Sequence, residues 1–221
     1  MTKVKPARHT EEAFEIVVEG VLLANGYASI ASDKFDRASA IFPDAVLDFI
    51  RATQPKEWKA LEALHGDKTG AQVLADLVKW IDANGSLATL RHGFKCYGKT
   101  LRVATFKAAH DLNAELEARY AANIVSVTRQ LRYSVRNDNE LDLVLSVNGI
   151  PVVSIELKNA MTRSTVEDAI RQYRNDRDPR EPIFEFKRRI LAHFAVDTDA
   201  VFMTTRLAGA AALLMAARSS V

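Results

Sequence analysis

Asp142, Glu156 and Lys158 stand at spacings that could bring two carboxylates and an ammonium group together. Residues 140–158 read as two short alternating runs around Asn148-Gly149, a strong hairpin signal. In the first run Leu141, Leu143, Leu145 and Val147 share one face, and Asp142, Val144 and Ser146 the other. In the second, Val153, Ile155 and Leu157 face one way, and Val152, Ser154, Glu156 and Lys158 the other. Two carboxylates can hold a divalent metal ion, and a nearby ammonium can steady anionic oxygen chemistry beside it. That set suits hydrolysis of a phosphodiester.

The turn decides whether the acids meet. A two-residue loop at Asn148-Gly149 puts Asp142 opposite Ile155 and splits the site across the sheet. A three-residue loop, Asn148-Gly149-Ile150, pairs Val147 with Pro151 and Asp142 with Glu156. Gly149 supplies the left-handed residue such a loop wants. Pro151 cannot donate a hydrogen bond, which suits a strand's first position. The three-residue loop is the expectation.

Other elements must carry this hairpin. Thr10 caps a helix running to about Ala24, with Gly26 past its end and Phe14, Val17, Val18, Val21 and Leu22 as its apolar stripe. Residues 44–90 carry three helical runs, in which Trp58 and Trp80 read as core anchors. Residues 90–106 are extended, 111–120 form a short helix, and 123–136 form the first core strand, punctuated by Arg129, Arg132 and Arg136. Ser164 to Glu167 is a capping box opening a helix with Val166, Ala169, Ile170 and Tyr173 as its stripe. Runs at 190–196 and 201–204 close the chain's strands.

The hairpin residues resemble the PD-(D/E)xK nucleases. More narrowly, they resemble the N-terminal nuclease domain of the restriction (motor) subunit of type I restriction–modification enzymes. The residues that carry the likeness are Asn148-Gly149-Ile150-Pro151 with Glu156-Leu157-Lys158-Asn159, Thr53-Gln54-Pro55 with Trp58, Tyr120 with Asn123, Val127-Thr128-Arg129-Gln130, and Phe194 to Asp197. The order of helix, three antiparallel strands, helix and strand matches that core. The fold expected is α/β, a mixed central sheet flanked by helices, with a helical insertion at about 44–90. The nuclease domain that the resemblance implies would span 1–207, and residues 208–221 would be a truncated tail where a motor domain is expected to begin.

The resemblance implies a Mg²⁺-dependent endonuclease that cuts double-stranded DNA without local sequence specificity. Asp142, Glu156 and the Leu157 carbonyl would hold the metal, and Lys158 would act on the attacking water and the developing charge. The resemblance also places a helpful glutamate on the first helix, for which Glu15 is chosen and Glu11 held in reserve. A Gln-x-x-x-Tyr signature on the second helix is incomplete here, since Asp176 stands four residues after Gln172 and the tyrosine is Tyr173. Gln172 alone is carried over, near the metal and the DNA backbone. Implied partners are the methyltransferase and specificity subunits and an ATP-driven motor. The alternative is a non-catalytic docking module that holds the motor subunit on a methyltransferase.

Composition narrows the class. Hydrophobic content of 48% and charged content of 26% are ordinary for a folded domain. With a net charge of only +2, contacts to DNA phosphate require local clusters of basic residues. Arg171, Arg174 and Arg177, with Lys187-Arg188-Arg189, are the expected clusters, although acids interleave with them. Cys96 is the single cysteine, which excludes internal disulfides and multi-cysteine zinc motifs and fits a cytoplasmic setting. No apolar run reaches membrane-spanning length. The five histidines have no ligand spacing.

Gly93 to Thr100 satisfies the P-loop pattern, with Gly98-Lys99-Thr100 at its end. A phosphate loop needs a buried strand before it and a helix after it. Here Arg91-His92 precede it and Leu101 to Phe106 favour a strand, so a nucleotide site is a third and weaker reading and a strand pair is expected instead.

Overall fold

The computed structural model describes residues 7–107, 114–159, 165–212 and 214–216, with side chains of the first helix described from Glu12 onward. The helices are α1 (Ala7–Ala24), α2 (Pro43–Thr53), α3 (Pro55–His65), α4 (Thr69–Asn84), α5 (Ser86–His92), α6 (Ala114–Ala121) and α7 (Val166–Asn175). The strands are β1 (Ala28–Ser29), β2 (Phe94–Cys96), β3 (Lys99–Leu101), β4 (Val125–Arg132), β5 (Glu140–Val147), β6 (Ile150–Leu157), β7 (Ala192–Val196), β8 (Val201–Thr204) and β9 (Met215–Ala216).

Seven strands form the central sheet in the order β1-β4-β5-β6-β7-β8-β9. The β4-β5-β6 meander is antiparallel. The chain then passes through α7 and returns as β7, parallel to β6. Two faces of the sheet are covered. Phe14, Val18 and Leu22 of α1 pack on Val127, Leu143 and Leu157. Val166, Ala169 and Tyr173 of α7 pack with Leu131, Tyr133, Leu141 and Val144. A third cluster joins α2–α5 to the β2-β3 hairpin and contains Trp58 and Cys96, with Trp80 packed against it. The expected mixed α/β architecture is present, and helices fill 43–92 as the apolar spacing predicts. No helix among the described residues is long and apolar enough to cross a membrane.

Several expectations need correction. The turn contains two residues, not three, since Val147 pairs with Ile150. Asn148 (φ 49°) and Gly149 (φ 85°) both adopt the left-handed region, as a mirror-image type I turn requires. The register then shifts, with Ser146 facing Pro151 while Leu145 faces Val153. Val152 is the extra residue of a β-bulge, and the bulge restores the register that the turn alone would have lost. Pro151 is therefore the second residue of β6 rather than the first.

The expected single face of Leu141, Leu143, Leu145 and Val147 is also broken. Leu141 packs on the α7 side and Leu143 on the α1 side. Gln130 explains this, because it stands in β4 with φ 48° and turns the strand there. Val127, before it, lies under α1, and Leu131, after it, lies under α7. In α1, Val17 and Val21 are 61% and 58% exposed, so the buried row is the i, i+4 series of Phe14, Val18 and Leu22. This helix begins at Ala7, ahead of Thr10. The capping box of α7 is Thr165 with Asp168. Ser164 lies outside the described residues, as do the side chain of Glu11 and residues 111–113 of the short helix. Beyond residue 207, Ala212 and Leu214 join the core and β9 adds an edge strand to β8.

Candidate active site

The Leu143–Ile155 pairing, continued by one residue, sets Asp142 of β5 beside Glu156 of β6. Asp142 Oδ2 accepts the Leu157 backbone N–H at 2.6 Å, which ties the two strands together at this point. Glu156 is fully buried. Its Oε1 accepts Arg177 Nε at 2.8 Å and lies 2.6 Å from Arg177 Nη2. Its Oε2 is buried with no hydrogen-bond partner. Burial, then the Asp142 charge, pushes the Glu156 carboxyl up to about 8 against the pull of Arg177.

Glu15 reaches the same end of the sheet from α1. It is 5% exposed, and Gln130 Nε2 donates to its Oε2 at 3.4 Å. Burial and the charge of Asp142 raise its carboxyl to about 7. Gln130 lies between Arg129 and Leu131, whose partners are Leu143 and Leu141, so its left-handed residue falls opposite Asp142. Asp142 thus stands where β4 changes face, between Glu15 from the α1 side and Glu156 from the α7 side. Lys158 is half-buried just past β6, and its charge draws the Glu156 carboxyl down. Its backbone N–H bonds Val196 O at 2.8 Å.

Behind Glu156 lies a buried polar network. Ser154 Oγ stands 2.9 Å from the Tyr173 hydroxyl and 2.8 Å from His193 Nδ1, and the Tyr173 hydroxyl donates to Phe194 O at 3.3 Å. Burial drives His193 down to about 3, so the ring is neutral. A satisfied network of this kind holds β6, β7 and α7 in one arrangement.

Among the described residues no three His, Cys, Asp or Glu side chains stand together as a ready metal cluster. The observation that fits a cation is the orphaned Glu156 Oε2 beside Asp142. An all-oxygen donor pair of this kind is what a hard divalent ion such as Mg²⁺ takes.

The expected phosphate contacts are scattered. Arg177 is 5% exposed and is committed to Glu156, to Glu140 O at 2.8 Å and to the Tyr133 ring, so it is a buried scaffold group and not a surface contact. Arg171 is exposed and pairs with Asp168 at 2.9 Å. Arg174 Nε donates to Ala212 O at 3.0 Å. Gln172 is half-buried on α7. Leu191 N bonds Val152 O, which places the chain before β7 at the start of β6. Val152 lies about 13 Å from Glu156 at the rise of a strand, so Lys187 and Arg188, which precede Leu191, lie toward the turn end of the sheet and away from Glu156. Arg188 pairs with Glu185, and Lys187 sits over the Phe186 ring. The P-loop pattern falls on the β2-β3 hairpin, with Tyr97-Gly98 at its turn, and residues 102–107 that follow it are not helical.

Sequence reading missed two groups, the Arg177 clamp and the left-handed Gln130. Arg177 sits between Asp176 and Asp178 and looks like a surface ion pair. Nothing in a strand sequence marks a glutamine for positive φ.

No curated protein matches the chain. The family model for the type I restriction enzyme R protein N terminus matches residues 59–211, well over half of the chain. The match takes in Gln130, Asp142, Glu156, Lys158 and Arg177 but not α1. The chain belongs to the family of type I restriction enzyme R protein N-terminal domains.

Proposed function

We propose that this domain is a Mg²⁺-dependent DNA endonuclease, the cutting part of its restriction enzyme. The observation that carries the reading is the unpartnered, buried Glu156 Oε2 beside Asp142 at the end of the meander. A carboxylate oxygen without a donor costs free energy in a dry site unless a cation or proton meets it. Asp142, Glu156 and the Leu157 carbonyl would hold the divalent ion. When bound, it would supply positive charge to the scissile phosphate and make a water acidic enough to attack near neutral pH. Lys158 orients that water and stabilises the charge that grows on the phosphate oxygens. Glu15 supports the site from α1 through a water, and Gln172 contacts the DNA backbone nearby. Water adds to phosphorus as the deoxyribose oxygen leaves, which breaks one strand without reading its bases. The methyltransferase and specificity subunits and a motor domain would deliver duplex DNA to it. A docking module would need no orphaned carboxylate oxygen.

Two substitutions test the reading in the full R protein assembled with its partners. Asp142→Ala should lose both divalent-ion binding and nicking of supercoiled plasmid. Lys158→Ala should keep ion binding, while cleavage falls by about a hundredfold or more, the scale for removing one transition-state stabiliser. If Lys158→Ala cuts as well as the unaltered enzyme, the assignment of the site is wrong.

A further inference from the structure

A cleft of about 520 Å³ opens between residues 32–37 and β4, where three arginines, Arg37, Arg129 and Arg132, outnumber the two acids, Asp33 and Glu140, and Gln130 stands among them. Gln130 joins this cleft to the candidate site, because the same side chain donates to Glu15. Arg132 pairs with Glu140 and Arg129 with Leu143, so both arginines flank the Asp142 end of the sheet. We propose that this cleft seats the sugar-phosphate backbone of the DNA strand next to the cut, with Arg129 and Arg132 as its phosphate contacts. The proposal rests on the nuclease reading and adds to it a strand path that the expected basic clusters do not supply.

The charges suit an exchangeable anion. Arg132 is 59% exposed and pairs with Glu140 at 2.8 Å, while Arg129 meets Glu19 only at 3.9 Å. The Arg132–Glu140 pair lies open to water, where such pairs are weak, and the half-buried Arg129 is held only by a long contact, so a phosphate can compete with both carboxylates. The planar guanidinium matches two phosphate oxygens at once. Arg37 plays another part. Its Nη1 donates to Ser134 O at 3.1 Å and Asn137 O at 3.3 Å, which fixes the cleft's wall to the β4-β5 connection. The Arg132 backbone N–H donates to Ser32 Oγ at 3.0 Å and fixes the other side. The arginines are thus mounted on a braced frame.

The experiment measures binding without cutting. The chain carrying Asp142→Asn is titrated in metal-free buffer onto a fluorescein-labelled blunt DNA duplex, by anisotropy, across a range of NaCl concentrations. Arg129→Gln/Arg132→Gln should weaken binding about tenfold and lower the slope of log affinity against log salt by about 2, near 0.9 for each phosphate no longer neutralised. Lys56→Gln/Lys59→Gln on α3, which removes the same charge elsewhere, should leave the slope unchanged. Thermal melts establish that each variant is folded. An unchanged slope in the folded arginine variant would overturn the proposal. So would a loss confined to Lys187→Gln/Arg188→Gln, or failure of the chain to bind duplex DNA. Absence of cutting by the unmodified enzyme would count against the nuclease reading alone, since this measurement does not depend on cleavage.

Discussion

Replacing Arg177 with methionine removes the guanidinium that holds Glu156 Oε1 and leaves a carboxyl with no donor on either oxygen. Removing one partner of a buried ion pair costs about 3–5 kcal/mol when the other stays charged. Glu156 has an escape, because burial and Asp142 already raise its carboxyl to about 8 and the variant loses the opposing pull of Arg177. A raised folded value means that the acid's contribution is present below the unfolded value near 4.5 and is lost as pH rises through the folded one. In the unmodified domain that loss is complete a little above pH 8, whereas in the variant it continues to higher pH. The deficit should therefore be about 1–3 kcal/mol at pH 6.5, from the missing bonds to Glu140 O and the Tyr133 hydroxyl. It should grow toward about 3–5 kcal/mol at pH 9. Urea denaturation followed by circular dichroism at both pH values measures it. The double variant Arg177→Met/Glu156→Gln should recover most of the extra loss at pH 9. A deficit below about 1 kcal/mol and equal at both pH values would refute the clamp, since it would match an ordinary surface hydrogen bond.

Gly149→Ala should destabilise the domain by about 2–4 kcal/mol, because a methyl there combines overpacking with a left-handed backbone. The added Cβ would stand 2.6 Å from Phe42 O at φ +85°, and a thermal melt unchanged from the parent would contradict that close approach. His193 is held neutral, with its value depressed to about 3, so its contribution is present above the ordinary 6.5 and is lost as pH falls toward 3. The parent should lose stability between pH 6.5 and 4 more steeply than His193→Gln in urea titrations, and parallel slopes would contradict the burial argument. The chain should not bind ATP through the P-loop pattern, since Lys99 begins β3 of a hairpin. ATP affinity by calorimetry that Lys99→Ala abolishes would show otherwise.

Much of this protein is legible in its sequence because the relevant signals are local. Alternation along 140–158 marks two strands, Asn148-Gly149 marks the turn, and the spacing of three and four over 44–90 marks helices. The residue types at 142, 156 and 158 are likewise local, and they raise the expectation of metal-dependent phosphate chemistry on which the proposed function rests. The expected three-residue loop reaches the right register for Asp142 and Glu156 by a wrong route. Pairing preferences near the turn cannot reveal a bulge at Val152, which depends on how Leu191 and the start of β7 meet the strand.

Tertiary structure alone decided the rest. Whether an arginine between two aspartates is a solvated surface charge or the buried clamp on Glu156 depends on where α7 ends relative to β5 and β6. Gln130 adopts positive φ because two packed faces draw the residues before and after it to opposite sides. That twist puts Glu15 and Glu156 on either side of Asp142. It also turns Arg129 and Arg132 toward one cleft, while Lys187 and Arg188 fall at the far end of the sheet. Residue type and short-range period are written in the chain, whereas burial and long-range contact arise only when segments far apart in sequence compete for the same core.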